Sequence, residues 1–143
     1  MTEVVRLTYI SRRPAASRDS AATEVWQILQ AARRANPALN ISGALFANAS
    51  YFAQVLEGPA QKVDEQFAYI SSDPRHFDVE VLERVVVPER LFPNWSMGFA
   101  SLDIDAADGS DGVFEDAFRT PGNQAAIVVR ALIERSISDL AIS

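Results

Sequence analysis

Between Ile41 and Gly58 the chain places two apolar runs around a short polar turn. Ile41-Ser42-Gly43-Ala44-Leu45-Phe46 and Tyr51-Phe52-Ala53-Gln54-Val55-Leu56-Glu57-Gly58 flank Ala47-Asn48-Ala49-Ser50, a pattern that predicts a β-hairpin. Alternate side chains of a strand share a face, so Phe52, Gln54 and Leu56 point one way and Tyr51, Ala53 and Val55 the other. Gln54 is then a primary amide between two large apolar neighbours on a core-facing side. Without a partner there it would cost about 1–3 kcal/mol, so something must hydrogen-bond it. Two partners are open: neighbouring backbone, as for most buried polar groups, or a ligand held in an apolar pocket.

Composition narrows the chemistry. A chain of 143 residues suffices for one domain with a sizeable core. The net charge of −6 argues against direct contact with nucleic acid or an anionic membrane. There is no cysteine, which removes disulfides, thiolate catalysis and thiolate metal sites. The single histidine, His76, excludes a several-histidine metal site and leaves one residue around which a Ser-His-Asp triad could be built; it is expected to cap or solvate a turn. The N-terminal residues do not form a signal peptide, and no apolar run approaches the ~20 residues of a membrane helix. The expected compartment is the cytoplasm.

The remaining elements follow in order. Val4 to Ile10 reads as a strand with Val5, Leu7 and Tyr9 on one face. Asp19 or Ser20 can cap a helix to about Asn36, with Ala22, Val25, Trp26, Leu29 and Ala32 as its apolar stripe and Ile28 beside it. Arg33 and Arg34 then fall in its last turn, and Pro37 disfavours helical geometry at Asn36. Asn36 is thereby a helix-end residue, either a terminator or a group free to face a ligand. Gly58-Pro59 opens a second helix with Val63, Phe67 and Ile70 buried. A strand from Val79 to Val87 follows, then one from Trp95 to about Ser101 in which Trp95, Met97 and Phe99 share a face. The order is βαββαββ. It predicts an α+β, ferredoxin-like fold with a five-stranded mixed sheet and both helices on one face. The first and third strands are expected as parallel central neighbours, bringing Tyr9 and Gln54 together.

Residues 1–102 make up this unit, and residues 103–143 an extension packed on it. Asp103 to Gly112 reads as an acidic linker; it lacks the terminal glutamate of a calcium loop. Val113 to Arg119 predicts one or two helical turns. From Asn123 to about Leu140, Ala125, Val129, Leu132, Ile133, Ile137 and Leu140 recur at helical spacing and are expected to cover the sheet's second face.

Arg-Leu-Thr-Tyr-Ile-Ser-Arg at 6–12, Asn36 with Ile41-Ser-Gly-Ala-Leu, Phe52-Ala-Gln-Val-Leu-Glu-Gly, Asp73-Pro-Arg-His and Arg90-Leu-Phe-Pro-Asn-Trp-Ser-Met-Gly-Phe resemble, in order and at fitting separations, the BLUF domain of flavin-based blue-light sensors. The resemblance implies FAD, with FMN or riboflavin possible. It implies Tyr9 as the photoactive tyrosine, Gln54 as the switching glutamine, and Trp95 and Met97 as the pair that exchange places beside it. Asn36 would bond the flavin's carbonyl edge, with Ser11 as the small polar residue near Tyr9. Ile28, Phe52 and Ile70 would wall the ring, and Asp73 and Arg75 would meet the flavin's tail. Two positions depart from the pattern: Ala35, where many members carry a polar residue, and Tyr69, where several carry arginine. Both concern the tail.

The implied mechanism is transient electron and proton transfer from Tyr9, leaving Gln54 rotated or tautomerised, with the signal leaving by the last strand. No enzymatic activity and no metal are expected. The output would go to a separate protein partner, with a homo-oligomer expected. A flavin-free ferredoxin-like module that binds a small molecule or dimerises is the alternative. An acylphosphatase-like enzyme would need an anion-cradling loop, and the glycine-free segment around Arg12 and Arg13 does not supply one.

Overall fold

The computed structural model describes residues 3–14, 21–93, 97–100 and 110–138. Its elements are β1 (Val4–Arg12), α1 (Ala21–Leu39), β2 (Ser42–Ala47), β3 (Tyr51–Pro59), α2 (Ala60–Ser71), β4 (Phe77–Val87), β5 (Gly98–Ala100), α3 (Ser110–Arg119) and α4 (Asn123–Ser138).

The body of the sheet is four antiparallel strands in the order β4-β1-β3-β2, rather than a full five-stranded mixed sheet. The fifth strand is three residues long and pairs in parallel with β2 at the edge, Ala44 opposite Gly98. The expected parallel pairing of first and third strands is wrong: β1 and β3 are antiparallel. Each helix returns the chain to the end of the sheet where the preceding strand began, so β1 runs with β2 and β3 with β4. The hairpin reverses β3 against β2 and inserts it between β2 and β1, antiparallel to both. The neighbours themselves are as expected, and Tyr9 lies opposite Gln54 in register. At Gly43 a Cβ would lie 1.9 Å from the Val55 carbonyl oxygen, so only glycine lets β2 approach β3 there.

Two apolar layers enclose the sheet. Val5, Leu7, Tyr9, Phe52, Leu56 and Met97 pack with Val25 and Leu29 of α1 and Val63 of α2 on one face. Ile10, Phe46, Ala53 and Val55 pack with Phe114 of α3 and Val129, Leu132 and Ile133 of α4 on the other. The C-terminal helices therefore cover the second face. Asn48 in the hairpin turn pins the start of α3, donating to Ser110 Oγ (3.0 Å) and Asp111 Oδ1 (2.9 Å). Ser110, Asp111 and Gly112, assigned to the linker from sequence, are thus helical.

Helix α1 differs from expectation in three ways. It continues through Pro37 to Leu39, so Asn36 is helical and Arg33 and Arg34 are not in its last turn. Proline's φ suits a helix, and the cost falls on one backbone bond near the end. The stop is Asn40, at φ 57°. Ile41 N–H donates to the Asn36 carbonyl (3.0 Å) and Asn40 N–H to that of Pro37 (3.2 Å), the paired bonds of a Schellman cap. Trp26, placed in the apolar stripe, is 59% exposed; the buried stripe is narrower and runs through Val25 and Leu29. The expected N-cap at Asp19 or Ser20 lies outside the described residues, as do Trp95, Ser101, residues 103–109 and Leu140.

Candidate functional site

Between the sheet and the two N-terminal helices lies a cleft of about 340 Å³, within the roughly 300–1,000 Å³ range of small-molecule sites. The sheet supplies its floor through Tyr9, Leu45, Phe52, Gln54 and Leu56. Helix α1 supplies Ile28, Ala32, Ala35 and Asn36, helix α2 supplies Gln66, Tyr69 and Ile70, and the loop after α2 supplies Asp73, Arg75 and His76. The walls are mostly apolar and the polar groups are few, the usual make-up of a site that fixes a ligand's orientation.

The floor carries a fixed pair. Tyr9 Oη donates to Gln54 Oε1 at 2.6 Å, and Gln54 Nε2 donates to Met97 Sδ at 3.4 Å. Tyr9, Gln54 and Met97 are each 2% exposed. Burial first, and the charge of Asp73 second, push the Tyr9 phenol well above its ordinary range, so it is a neutral donor at physiological pH. The puzzle of Gln54 is answered in part within the protein: its partners are side chains rather than backbone.

At the mouth, Asp73 accepts a forked set of bonds from Arg75, the shortest 2.6 Å from Nη2 to Oδ2. This bonding holds the Asp73 carboxyl below its usual range. Behind it stands His76, expected from the sequence to cap or solvate a turn. It is 9% exposed and bridges two elements, with Nε2 2.8 Å from the Ile70 carbonyl and Nδ1 2.7 Å from Ser11 Oγ. A carbonyl only accepts, so Nε2 is the donor of the first bond, and Nδ1 shares the second with the Ser11 hydroxyl. Ser11 reaches the cleft through His76 and is not itself in its wall. The Asp73-Pro-Arg-His run was the available signal for His76, but a lone histidine has no periodicity that reveals its partners.

The structure thus gathers Tyr9, Ile28, Asn36, Phe52, Gln54, Ile70, Asp73 and Arg75 around one cleft and sets Met97 behind Gln54. Asn36, though inside a helix, is 1% exposed and lines it. Trp95 lies outside the described residues. Among the described residues no group of three His, Asp or Glu side chains could hold a metal ion, and no helix is long and apolar enough to cross a membrane.

Comparison with known proteins bears on the whole arrangement. The model of the family "BLUF: sensors of blue-light using FAD" matches residues 4–98. Subunit beta of the photoactivated adenylate cyclase of Euglena gracilis is 34% identical over 104 residues, 72% of this chain and 12% of that protein; the chain spans only a small part of such relatives. The dark-state structure of BlrB, a BLUF protein, is similar over 98% of this chain and 99% of that one, at 33% identity and a TM-score of 0.71. The structure of Klebsiella pneumoniae BlrP1 with FMN and cyclic diGMP matches over 92% of this chain and 34% of that one, at 29% identity and a TM-score of 0.66.

Proposed function

The chain belongs to the BLUF family of blue-light sensors using FAD, and from that premise we propose that Tyr9 and Gln54 form its light-responsive pair. The observation that carries this is the buried chain of bonds from Tyr9 through Gln54 to Met97 on the floor of a ligand-sized cleft. The donor set fits a flavin. Two buried amides, Asn36 and Gln54, suit the carbonyls and ring nitrogen of an isoalloxazine. Ile28, Phe52 and Ile70 suit its apolar end. FMN in the BlrP1 structure supports FMN as an alternative to FAD.

A bound flavin supplies absorption of blue light and a transient acceptor of an electron and a proton. The protein's part lies in three side chains. Tyr9, neutral and hydrogen-bonded, can give up its hydroxyl proton only along the bond to Gln54. While that bond is broken, the amide oxygen lacks its hydrogen-bond donor, and the amide can settle in a rotated or tautomeric form when the proton returns. An amide presents donors on one side and an acceptor on the other, so the change reverses what Met97 and the cleft meet. Ile28, Phe52, Asn36 and Ile70 hold the ligand, and Asp73 and Arg75 border its tail.

Residues 1–102 act as the sensing unit and residues 103–143 as an extension, whose helices α3 and α4 pack on the second face of the sheet. The signal passes through Met97 and the last strand to a separate protein, with Trp95 as the second member of the pair that the family resemblance implies, this chain acting as a homo-oligomer rather than as a catalyst. The test is the absorption spectrum of purified protein before and after blue light. A reversible red shift is expected; colourless protein that takes up no flavin overturns the reading.

A further inference from the structure

Met97 is held at both ends. Its sulfur accepts from Gln54 Nε2 at 3.4 Å, and its carbonyl accepts from Arg33 Nε at 2.9 Å. Arg33 stands on α1 one turn before Asn36, so the helix that walls the cleft also grips the start of the short β5. That grip has a chemical consequence. A thioether sulfur is an acceptor without a proton to give. Tyr9 Oη, by contrast, can donate to Gln54 Oε1 or accept from Nε2. The phenol therefore does not determine which way round the amide sits, and the sulfur does: reversed, Oε1 would face Sδ lone pair to lone pair. A methionine side chain has three rotatable bonds, and β5 pairs over only three residues. The sulfur stays opposite Nε2 only if the Met97 backbone is fixed.

Resting on the reading above, we propose that Arg33 is a positioning residue of the light switch: by holding the Met97 carbonyl it keeps the sulfur against Gln54 and selects the dark orientation of the amide. Arg34 is the built-in control, since among the described residues its Nε reaches only the Gln30 carbonyl within its own helix (3.4 Å).

The experiment compares Arg33→Ala, Arg33→Lys and Arg34→Ala in the full chain, alone and combined with Met97→Leu. Methyl NMR in the dark reads the methionine directly, because the chain has two, Met1 and Met97, and Met97→Leu assigns the signal. Arg33→Ala should shift the Met97 methyl and the Gln54 side-chain amide signals and slow dark recovery of the red shift by roughly three- to tenfold, the range for one lost side-chain hydrogen bond. Arg33→Lys should restore part of both, Arg34→Ala should match wild type, and Arg33→Ala should add nothing once Met97 is leucine. Unmoved Met97 and Gln54 signals, unchanged or faster recovery, or an equal effect in the Met97→Leu background would each overturn the proposal. A wild-type protein with no red shift would overturn the light-sensing reading instead, and the dark NMR comparison would still decide the role of Arg33.

Discussion

Tyr9 and Gln54 lie directly opposite one another on antiparallel strands β1 and β3, with the phenol oxygen 2.6 Å from the amide oxygen. Facing positions of adjacent strands put side chains on the same face within reach, so the contact follows from register rather than from a loop. Both strands are central in the sheet, where their geometry is most constrained.

The first prediction concerns that pair. Tyr9→Phe removes the donor and keeps the ring, and Gln54→Leu keeps the volume and removes the amide. Each should fold, bind flavin and lack the reversible red shift, and the double variant should look no worse, because the two act as a unit. A wild-type shift in yellow Gln54→Leu protein would remove the amide from the mechanism.

Asn36→Ala should weaken flavin retention about tenfold, the size of roughly one buried amide hydrogen bond. Equilibrium dialysis against riboflavin, FMN and FAD measures it. Equal loss with all three places the contact at the ring; loss with FAD alone would place it at the tail.

The C-terminal helices should carry global stability. Phe114 is fully buried and stacks on Tyr51, ring centroids 4.7 Å apart and planes within 2°. Phe114→Ala should cost about 3–5 kcal/mol, the range for a buried phenylalanine, read as a lower urea midpoint. An unchanged midpoint would mean that this layer contributes little.

Acid should loosen the cleft mouth. The Arg75 hydrogen bonds lower the folded-state pKa of Asp73. A carboxyl so shifted contributes stability that is whole above the ordinary aspartate value of about 3.9 and lost as pH falls through the lowered one. Flavin retention and thermal stability should therefore drop below about pH 4, and Asp73→Asn should flatten that part of the profile. An identical slope in the variant would assign the loss to other carboxyls.

The period-two and helical patterns fixed much of this protein from the chain alone: the element order, the hairpin, the core-facing side of Gln54 and the two apolar layers. Those features depend on local spacing, which burial then obeys. Motif order also pointed to most of the cleft. Other features were decided only by tertiary contact. The end of α1 depended on Asn40 entering a left-handed conformation, which outweighed the proline signal. Trp26 reads as apolar, yet α1 turns it to solvent. The antiparallel pairing of β1 with β3 depended on where the hairpin inserts, which no single segment records. His76 and Arg33 looked like surface groups because a lone polar residue has no periodicity. Their partners, the Ile70 carbonyl and the Met97 carbonyl, are backbone atoms, one of them distant in sequence, that only the folded chain brings within reach.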